Sequence, residues 1–430
     1  MNGEWRTTRL RFLLESPFGV IYGATQSGIE FDPALPRYIR ITDIRADGTL
    51  EPDNAVSLRR DISEPYMLKD RDILLARSGA TVGKAFFYRA DGEEACFAGY
   101  LIRARCDNRR ILPEFLAYFF QSASYWNFVN QFAFQVTIQN VSAELYKELP
   151  VTHSNIARQK AVANFLDRQT AKIDRLIALR RRQMELLREQ RVAVIEQAVT
   201  RGLDPDVPMK DSGLPWLGEI PAHWSVQRVK HVARFVQTGA TPRSSEPTYY
   251  DLEGYSWYGP GDFGDALILG QSARFVSETA VHEGQADIFE PPTILLVGVG
   301  ASVGKVGISV RPCFSNQQVN IIGLRPGYLT GYFGHFLAAY SWVIEANSNQ
   351  ATLPIFTQTQ TSNFAVLVPP RGEQEAIVDF IDFEGRRLET LRMTYARQIE
   401  LLTEYRAALI HECVTGQRVI GTTDVIPEAA

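Results

Sequence analysis

Two short segments of the chain combine an apolar run with a glycine turn and a lysine, a pattern that can bind phosphate. They read ILLARSGATVGK (73–84) and ILLVGVGASVGK (294–305). A nucleotide-binding loop of the form GxxxxGK[ST] wraps phosphates with backbone N–H groups and holds Mg²⁺ through its final hydroxyl. Here Ser78 and Val299 replace the first glycine, and neither lysine is followed by serine or threonine. We therefore do not expect a nucleotide site at either turn.

Other catalytic patterns are also missing from the sequence. The four cysteines contain no C-x-x-C pair, and the six histidines show no metal-ligand spacing, so metal and disulfide frameworks are not expected. Cys96 and Cys313, each followed by phenylalanine, are predicted to be buried strand thiols in matching places. No N-P-P-Y-like loop that could receive a flipped base is present, and VGVG (297–300) is too short for a cofactor fingerprint. The sequence predicts a non-catalytic protein without a cofactor of its own.

Composition indicates a globular protein with more than one domain. The chain has 430 residues, of which 45% are hydrophobic and 22% charged, and this length favours two or three domains. The N-terminus MNGEWRTTRL has no apolar signal core and no apolar run reaches membrane-spanning length, so we expect a cytoplasmic protein without membrane contact. The formal net charge of -4 argues against a uniformly basic nucleic-acid binder.

The two glycine turns belong to a duplication that covers nearly the whole chain. Trp5 matches Trp224, and Asp43 matches Asp262, both 219 residues apart. The segment ARQKAVANFLD begins at residue 157, and its counterpart GEQEAIVDFID begins 215 residues later at 372. A slowly drifting offset indicates two copies of one module with small differences in loop length.

Each copy has a mixed, glycine- and proline-containing segment followed by a long proline-free stretch. Short apolar runs between turn residues predict β-rich α+β structure, and the proline-free stretches predict long helices. Apolar residues alternately four and three apart predict a coiled-coil seam in each helix. Eight of the ten seam positions are apolar in the second helix and six of ten in the first: Ile377, Ile381, Glu384, Leu388, Leu391, Tyr395, Gln398, Leu402, Tyr405 and Leu409, matched by Val162, Leu166, Gln169, Ile173, Leu176, Arg180, Gln183, Leu187, Gln190 and Val194.

Charge favours pairing of the two helices with each other. Residues 155–202 carry 11 basic and 5 acidic groups, whereas residues 371–430 carry 7 and 11. Opposite net charge relieves the repulsion that self-pairing would create, and two equivalent copies related by an approximate two-fold axis would make the helices antiparallel. Two independent helices, each lying on its own domain, remain the alternative.

Several motifs together resemble the DNA-specificity subunits of type I restriction-modification enzymes. They are SGLPWLGEIPAHWS (212–225), TGATP (238–242), the repeated GATVGK and GASVGK turns, and the helix ends AVTRG and CVTGQ. The resemblance runs from Trp5 to about Gln417, and the order and duplication of the motifs make it specific. GATQSG (23–28) lacks the Thr-Pro of its counterpart, so the DNA-reading loops of the first copy are less well defined.

The resemblance implies two target-recognition domains that each read one part of a split double-stranded DNA site. It also implies that two long helices separate these domains and bind two methyltransferase (M) subunits. Two restriction/translocase (R) subunits can join such an assembly, and the partners handle S-adenosylmethionine, ATP and Mg²⁺. The expected order is target-recognition domain 1 (1–154), first spacer helix (155–202), connector (203–223), target-recognition domain 2 (224–370), second spacer helix (371–417) and C-terminal tail (418–430).

Proteins read a DNA sequence through hydrogen-bond donors and acceptors at the base edges. The candidate base-reading residues, called readers below, are therefore polar side chains on loops. In the first copy these are Tyr22, Thr25, Gln26, Arg37, Arg40, Thr42, Arg77, Ser78, Thr81, Gln139 and Asn140. In the second copy they are Thr238, Thr241, Arg243, Ser244, Tyr258, Ser302, Asn316, Gln317, Gln318, Asn349 and Gln350. Lys84 and Lys305 are candidates for phosphate contacts at a tight bend after a buried strand. A purely structural turn with an exposed lysine is the alternative for each bend.

A rival interpretation of a different class also fits the pattern. The chain could be a structural coiled-coil adaptor whose globular parts bind proteins and which has no DNA specificity. Sequence-selective DNA retardation would distinguish the two interpretations.

Overall fold

The computed structural model describes residues 4–17, 19–45, 49–79, 81–90, 92–133, 140–251, 253–349 and 353–420. The chain forms two compact units, unit 1 (residues 1–181 and 395–430) and unit 2 (residues 182–394). The division falls within both long helices. Each unit therefore combines one β-rich segment with part of each helix, whereas the predicted domain order ran strictly along the chain. Mixed helix and strand content confirms the α+β class.

The described residues of unit 1 form two four-stranded sheets and one separate strand pair. Its strands are β1 (Arg6–Arg9), β2 (Val20–Tyr22), β3 (Ile29–Glu30), β4 (Arg37–Ile39), β5 (Val56–Ser57), β6 (Ile73–Ala76), β7 (Ala85–Phe87), β8 (Ala95–Phe97), β9 (Leu101–Ala104) and β10 (Pro150–His153). Its helices are α1 (Arg60–Ser63), α2 (Pro113–Phe119), α3 (Ala123–Ala133), α4 (Ala143–Lys147) and the first part of α5 (Ile156–Arg201).

Unit 2 begins with a connector hairpin and then repeats the pattern. Its strands are β11 (Met209–Asp211), β12 (Glu219–Pro221), β13 (Ser225–Arg228), β14 (Ala233–Thr238), β15 (Tyr250–Asp251), β16 (Tyr255–Tyr258), β17 (Phe275–Val276), β18 (Thr293–Val297), β19 (Val306–Ser309), β20 (Cys313–Ser315), β21 (Val319–Leu324) and β22 (Ala365–Val368). Its helices are α6 (Val229–Val232), α7 (Glu278–His282), α8 (Thr330–Ala339), α9 (Ser341–Ala346), α10 (Gln358–Asn363) and the first part of α11 (Arg371–Thr415).

The β-rich segments of the two units have the same sheet topology. Among the described residues of unit 1, the sheet orders are β2-β9-β6-β7, β3-β5-β4-β8 and β1-β10. Those of unit 2 are β14-β21-β18-β19, β15-β17-β16-β20 and β13-β22. Among the described strands of each unit, one sheet contains a parallel pair, β4 with β8 and β16 with β20. The central strands β6 and β18 are buried along their whole length, as expected for continuous apolar runs covered on both faces.

The long helices contribute to the core of both units. In unit 1, Phe165 and Leu166 of α5 share a hydrophobic cluster with Leu409 and Ile410 of α11. The ion pair between Arg406 and Asp174 lies nearby, with 2.9 Å between Nε and Oδ1. These contacts join the beginning of α5 to the end of α11.

Unit 2 contains the opposite ends of the same helices. Ala198 and Val199, near the end of α5, share a cluster with Ile377 and Ile381, near the beginning of α11. This cluster also includes residues of α8 and of the central sheet, so the helix ends are anchored directly on the β-rich segment.

Most predicted seam positions lie on the buried face of each helix, but three do not. Leu176, Gln190 and Tyr405 are exposed. In unit 1 the neighbouring Ile177 is buried in place of Leu176, and Arg406 is half-buried where Tyr405 is exposed. A straight α-helix drifts by about 20° per heptad relative to a strict seven-residue repeat, which accounts for shifts of one position along helices of this length.

Cys96 in β8 and Cys313 in β20 are buried strand thiols, as predicted. Burial raises the pKa of the Cys96 thiol to about 12 and that of Cys313 to about 11. Both thiols therefore stay protonated near neutral pH, and neither is a reactive nucleophile.

The two cysteines do not occupy matching places, contrary to the sequence prediction. Cys96 lies opposite Tyr38, whereas Phe314, and not Cys313, lies opposite Trp257. Tyr38 and Trp257 are equivalent because each lies five residues before the aspartate, at position 43 or 262, that caps the same turn. The correct offset is 218 residues, and a shift of one residue moves a strand side chain to the other face of the sheet.

Candidate nucleic-acid interface

The glycine-lysine turns follow the buried strands β6 and β18. Gly79 and Gly83 have φ angles of +79° and +83°, and Gly300 and Gly304 have +103° and +89°, a region that favours glycine. The predicted tight bend after a buried strand is therefore confirmed in both units. Its role in phosphate binding stays a prediction.

The lysines at the two turns differ in their surroundings. Lys84 is exposed, and its backbone N–H donates to the carbonyl of the half-buried Thr81 at 3.0 Å. Lys305 is also exposed, but its Nζ donates to the carbonyl of Phe263 at 3.1 Å. The ammonium group of Lys305 is thus held beside the Phe263 carbonyl.

A second glycine turn, Gly-Ala-Thr, packs against the same strand ends in each unit. A Cβ on Gly23 would lie 2.3 Å from the carbonyl oxygen of Ala98, and one on Gly239 would lie 2.1 Å from that of Ser315. Only glycine allows so close an approach of two backbones. The approach places Thr25 and Thr241, both exposed, beside the loops that follow β8 and β20.

In unit 1 four of the predicted readers meet at one point. The Arg77 guanidinium lies 4.8 Å from the ring centroid of Tyr22, and its Nε donates to Oδ1 of Asn140 at 3.4 Å. Ser78 forms an isolated β-bridge with Asn140. The Tyr22 hydroxyl accepts a hydrogen bond from the backbone N–H of Ala143 at 2.9 Å. Segments far apart in sequence thus converge into a polar cluster with an arginine at its centre.

Tyr100 belongs to the same place and was missed by the sequence reasoning. Its side chain is 65% exposed, and its carbonyl accepts a hydrogen bond from the Arg77 backbone N–H at 3.0 Å. A large exposed aromatic beside arginine suits contact with base edges, where a ring can pack on a thymine methyl group. The sequence feature that could have indicated Tyr100 is an aromatic residue directly after the glycine of FAGY (97–100).

Arg37 and Arg40 are engaged within unit 1. Arg37 donates to the carbonyl of Glu51 at 2.6 Å, and Arg40 donates to the carboxylate of the buried Asp43 and to the carbonyl of Asn54. The hydrogen bond with Asp43 raises the pKa of Arg40. Both guanidinium groups hold the loops around β4, while Gln26 and Thr42 nearby are exposed.

In unit 2 the predicted readers line an open cleft of about 530 Å³. Ser302, Asn316 and Gln318 lie on its walls, and the Asn316 Nδ2 donates to the Gln318 Oε1 at 3.0 Å. Beside this pair, the Thr241 hydroxyl donates to Oε1 of Gln317 at 2.6 Å. The cleft therefore presents a row of amide groups, which can both donate and accept.

The remaining candidates of unit 2 are more scattered. Thr238 donates to Oδ1 of Asn320 at 3.0 Å, and Asn349 pairs through its backbone with Ile355. Arg243 and Ser244 are exposed on the loop after the Gly-Ala-Thr turn.

Tyr258 is only 2% exposed, and its hydroxyl donates to the carbonyl of Gly270 at 2.7 Å. This burial argues against direct base contact by Tyr258. Gln139 and Gln350, also predicted readers, lie outside the described residues.

Arg274 lines the same cleft and was not found from the sequence. It lies in QSARFVS (271–277), which has no motif of its own. Only strand pairing in the sheet brings this segment beside Trp257 and the amide groups.

The described residues contain no group of three or more metal-ligating side chains. Of the helices in the part of the chain that the structure describes, none is both long and apolar enough to cross a membrane.

Residues 221–398 match the family described as Type I restriction modification DNA specificity domain. The chain is 25% identical over 412 residues to the type I restriction enzyme StySPI specificity subunit of Salmonella potsdam, covering 92% of this chain and 83% of that protein.

Two solved structures share the fold. A chain from work on complex assembly and conformational transition of the type I R-M system has a TM-score of 0.75 and 16% identity, covering 97% of this chain and 99% of that one. The HsdS subunit from Thermoanaerobacter tengcongensis has a TM-score of 0.57 and 15% identity, covering 96% and 97%. The resemblance drawn from the sequence is confirmed: residues 221–398 match the type I restriction modification DNA specificity domain, and similarity to a type I specificity subunit extends over nearly the whole chain.

Proposed function

We propose that this chain is the DNA sequence-specificity subunit of a type I restriction-modification complex and has no catalytic activity of its own. Its two β-rich segments, 1–154 and 224–370, act as target-recognition domains that each read one part of a split double-stranded DNA site. The observation that carries this proposal is the repetition of one sheet topology with polar side chains at the same strand ends in both units. The family match over 221–398 supports it independently.

Within each domain, two kinds of contact have different roles. The arginine and amide groups around Arg77 in unit 1 and around Asn316 in unit 2 have the donors and acceptors needed to read base edges. Lys84 and Lys305 supply charge for phosphates, which position the protein without carrying sequence information.

The net charge limits how tightly the isolated chain can bind DNA. Residues 1–154 carry 18 basic and 19 acidic groups, and residues 203–370 carry 9 and 14. Because phosphate neutralisation dominates affinity, partner subunits must supply most of the phosphate contacts. Weak, salt-sensitive binding by the isolated chain follows.

The two long helices serve as spacer and docking surface. Their contacts support an antiparallel coiled coil: in unit 1, Asp174 lies beside Arg406, and Arg180 lies beside Tyr395 further back along α11. Large exposed apolar side chains on the same helices support the docking of two methyltransferase subunits. They are Leu176, Leu179, Leu186, Val192, Phe380, Phe383, Met393, Leu401 and Tyr405.

The chemistry of modification and cleavage belongs to the partners in this proposal. The methyltransferase subunits bind S-adenosylmethionine, and two restriction/translocase subunits, where present, use ATP and Mg²⁺. This chain selects the DNA sequence at which the partner subunits act.

Methylome sequencing of cells that express the chain with its methyltransferase partner tests the proposal. A split methylated motif is expected. Replacement of residues 1–150 by the corresponding segment of another specificity subunit should change one half of that motif and leave the other intact. A change in both halves would contradict reading of one half-site by each domain.

A gel-shift comparison with and without the methyltransferase partner separates this function from a protein-binding adaptor. Sequence-selective retardation in the presence of the partner supports the specificity function. Loss of all selectivity under every partner condition would favour the adaptor.

A further inference from the structure

Arg274 of unit 2 is an exposed arginine on the wall of the amide-lined cleft. Its guanidinium lies 4.3 Å from the ring centroid of Trp257. No carboxylate of the described residues forms an ion pair with it. A cation that is stacked on an aromatic face but not neutralised by a carboxylate keeps its N–H donors for an external acceptor.

The backbone that carries Arg274 is firmly held. Its carbonyl accepts a hydrogen bond from the Trp257 backbone N–H at 2.9 Å. The preceding residue, Ala273, donates its N–H to Oδ1 of Asp262 at 3.0 Å. The same carboxylate accepts from the N–H of Gly259 at 2.7 Å through Oδ2. Asp262 thus holds the two backbone segments, at Gly259 and at Ala273, between which the Arg274 guanidinium lies.

A glycine makes room for this arginine. A Cβ on Gly259 would lie 2.7 Å from the Nη2 of Arg274. The residue of unit 1 that is equivalent to Gly259 is Arg40, which also precedes the capping aspartate by three residues and is bound to it. Both units place an arginine beside this aspartate, but only in unit 2 does it come from another strand and stay without a carboxylate partner among the described residues.

The surroundings specify what such a group would bind. The cleft holds about 530 Å³, and Ser302, Asn316 and Gln318 add donors and acceptors around it. An arginine whose plane is fixed by stacking presents two parallel N–H donors, and guanine offers the matching pair of acceptors, O6 and N7, in the major groove. The amide side chains alone would favour adenine. Recognition of guanine in this cleft would therefore depend on Arg274.

We propose that Arg274 is a specificity-determining residue of the second target-recognition domain and binds the major-groove edge of one guanine in the half-site read by that domain. This inference rests on the proposed function. It adds a named base preference at one position, which the sequence motifs do not provide.

The test is the methylome of the full chain expressed with its methyltransferase partner, for the wild type and for Arg274→Ala and Arg274→Lys. In the wild type, the half-site of the second domain should contain a fixed guanine. Both variants should lose preference for it by roughly 10- to 100-fold while the other half of the motif stays unchanged. Arg274→Lys is informative because lysine keeps the charge but not the two-pronged geometry.

Arg234→Ala is the matched control. Arg234 is also exposed and stacked, with its guanidinium 5.3 Å from the ring centroid of Phe235, but it does not line the cleft. Its replacement should leave the motif unchanged.

Three results would overturn the inference. They are a second half-site without a fixed guanine, an unchanged motif in Arg274→Ala, and methylation that falls equally at all sites, as expected for a lost phosphate contact. A wild-type chain that directs no split motif would overturn the proposed function as well, which separates the two failures.

Discussion

The junction between α2 and α5 in unit 1 and the junction between α8 and α11 in unit 2 share one framework. Helix α2 begins where the Leu112 N–H donates to Oε1 of Gln159 at 2.7 Å, and α8 begins where the Leu329 N–H donates to Oε1 of Gln374 at 2.9 Å. Six residues after each leucine, unit 1 has tyrosine at 118 and unit 2 has histidine at 335. The two junctions therefore share the hydrogen bond at the helix start and differ in the side chain six residues later.

In unit 1 the junction is filled. The Tyr118 hydroxyl donates to Oδ1 of Asp167 at 2.7 Å and lies 3.2 Å from Oγ1 of Thr170. In unit 2 the aspartate is retained as Asp382, but His335 is shorter than tyrosine and Gly385 replaces the threonine. An open groove of about 540 Å³ is left there, lined by these residues and by Arg191. The duplicated fold thus tolerates either a closed or an open junction at the same place.

A second pair of equivalent positions differs in charge. Asp72 directly precedes β6, is 2% exposed, and forms an ion pair with Arg105 at 2.7 Å. Thr293, at the start of β18, is also buried but neutral, and its hydroxyl donates to the carbonyl of Glu290. The beginning of β6 in unit 1 is therefore stabilised by an ion pair, and the equivalent beginning of β18 in unit 2 by a neutral hydrogen bond.

The largest expected effect comes from breaking that ion pair. Asp72→Asn leaves Arg105 without its carboxylate, close to the buried Arg103, and removing one partner of a buried pair costs roughly 3–5 kcal/mol. Native-state amide hydrogen exchange on the full chain should show unit 1 destabilised by this amount. Thr293→Val in unit 2 is the control and should cost about 1 kcal/mol. Equal losses in the two units would show that the charge difference has no energetic consequence.

The pH response of unit 2 is expected to depend on His335. Burial is the main cause that lowers the pKa of His335 from 6.5 to about 4; Asp382 opposes this change and Arg191 contributes to it. Between these values the unfolded chain binds a proton that the folded chain does not. Stability is therefore fully present above about pH 6.5 and is lost, by about 2–3 kcal/mol, as the pH falls to about 4.

Urea unfolding followed by tryptophan fluorescence over this pH range measures the effect. His335→Tyr, which introduces the residue of unit 1, should remove the His335 contribution to the acid destabilisation. Tyr118→Phe is the control and should leave the dependence of stability on pH unchanged. An unchanged acid response in His335→Tyr would rule out His335 as its source.

The smallest expected effect comes from the glycine in α11. A Cβ at Gly385 would meet no atom within 4 Å, and glycine inside a helix costs roughly 0.5–1 kcal/mol relative to alanine. Gly385→Ala should therefore stabilise unit 2 by about that amount in thermal unfolding. The reciprocal change in unit 1, Thr170→Gly, should destabilise by more, because it also removes the contact with Tyr118. A destabilising Gly385→Ala would mean that the groove requires the glycine.

Local pattern was sufficient to find the bends and helices of both units. The apolar runs ending in GATVGK and GASVGK predicted buried strands with tight bends, and both are present. Proline-free stretches predicted the two long helices, which span Ile156–Arg201 and Arg371–Thr415. These features depend on residues close together in sequence, so a single stretch contains the information that specifies them.

The composition of the candidate sites could be predicted only in part. Arg77 and Asn140 were named from their residue types and do meet, but Tyr100 and Arg274 were missed because their neighbours are distant in sequence. Tyr258 was named as a reader, yet it is buried because its side chain packs in a hydrophobic cluster that includes Phe263 and Phe314. Matching Cys96 to Cys313 failed by one position because loop-length differences change the offset between the copies.

The sequence by itself therefore determined the duplication, the buried central strands, the two long helices and the resemblance to type I specificity subunits. Only the tertiary structure decided which polar side chains share a cluster, which arginine is paired with a carboxylate, and which helix junction is open. The physical reason is that helix and strand periodicity is a local property of the chain. Strand register and close backbone approaches such as those at Gly23 and Gly239 are instead fixed by long-range packing.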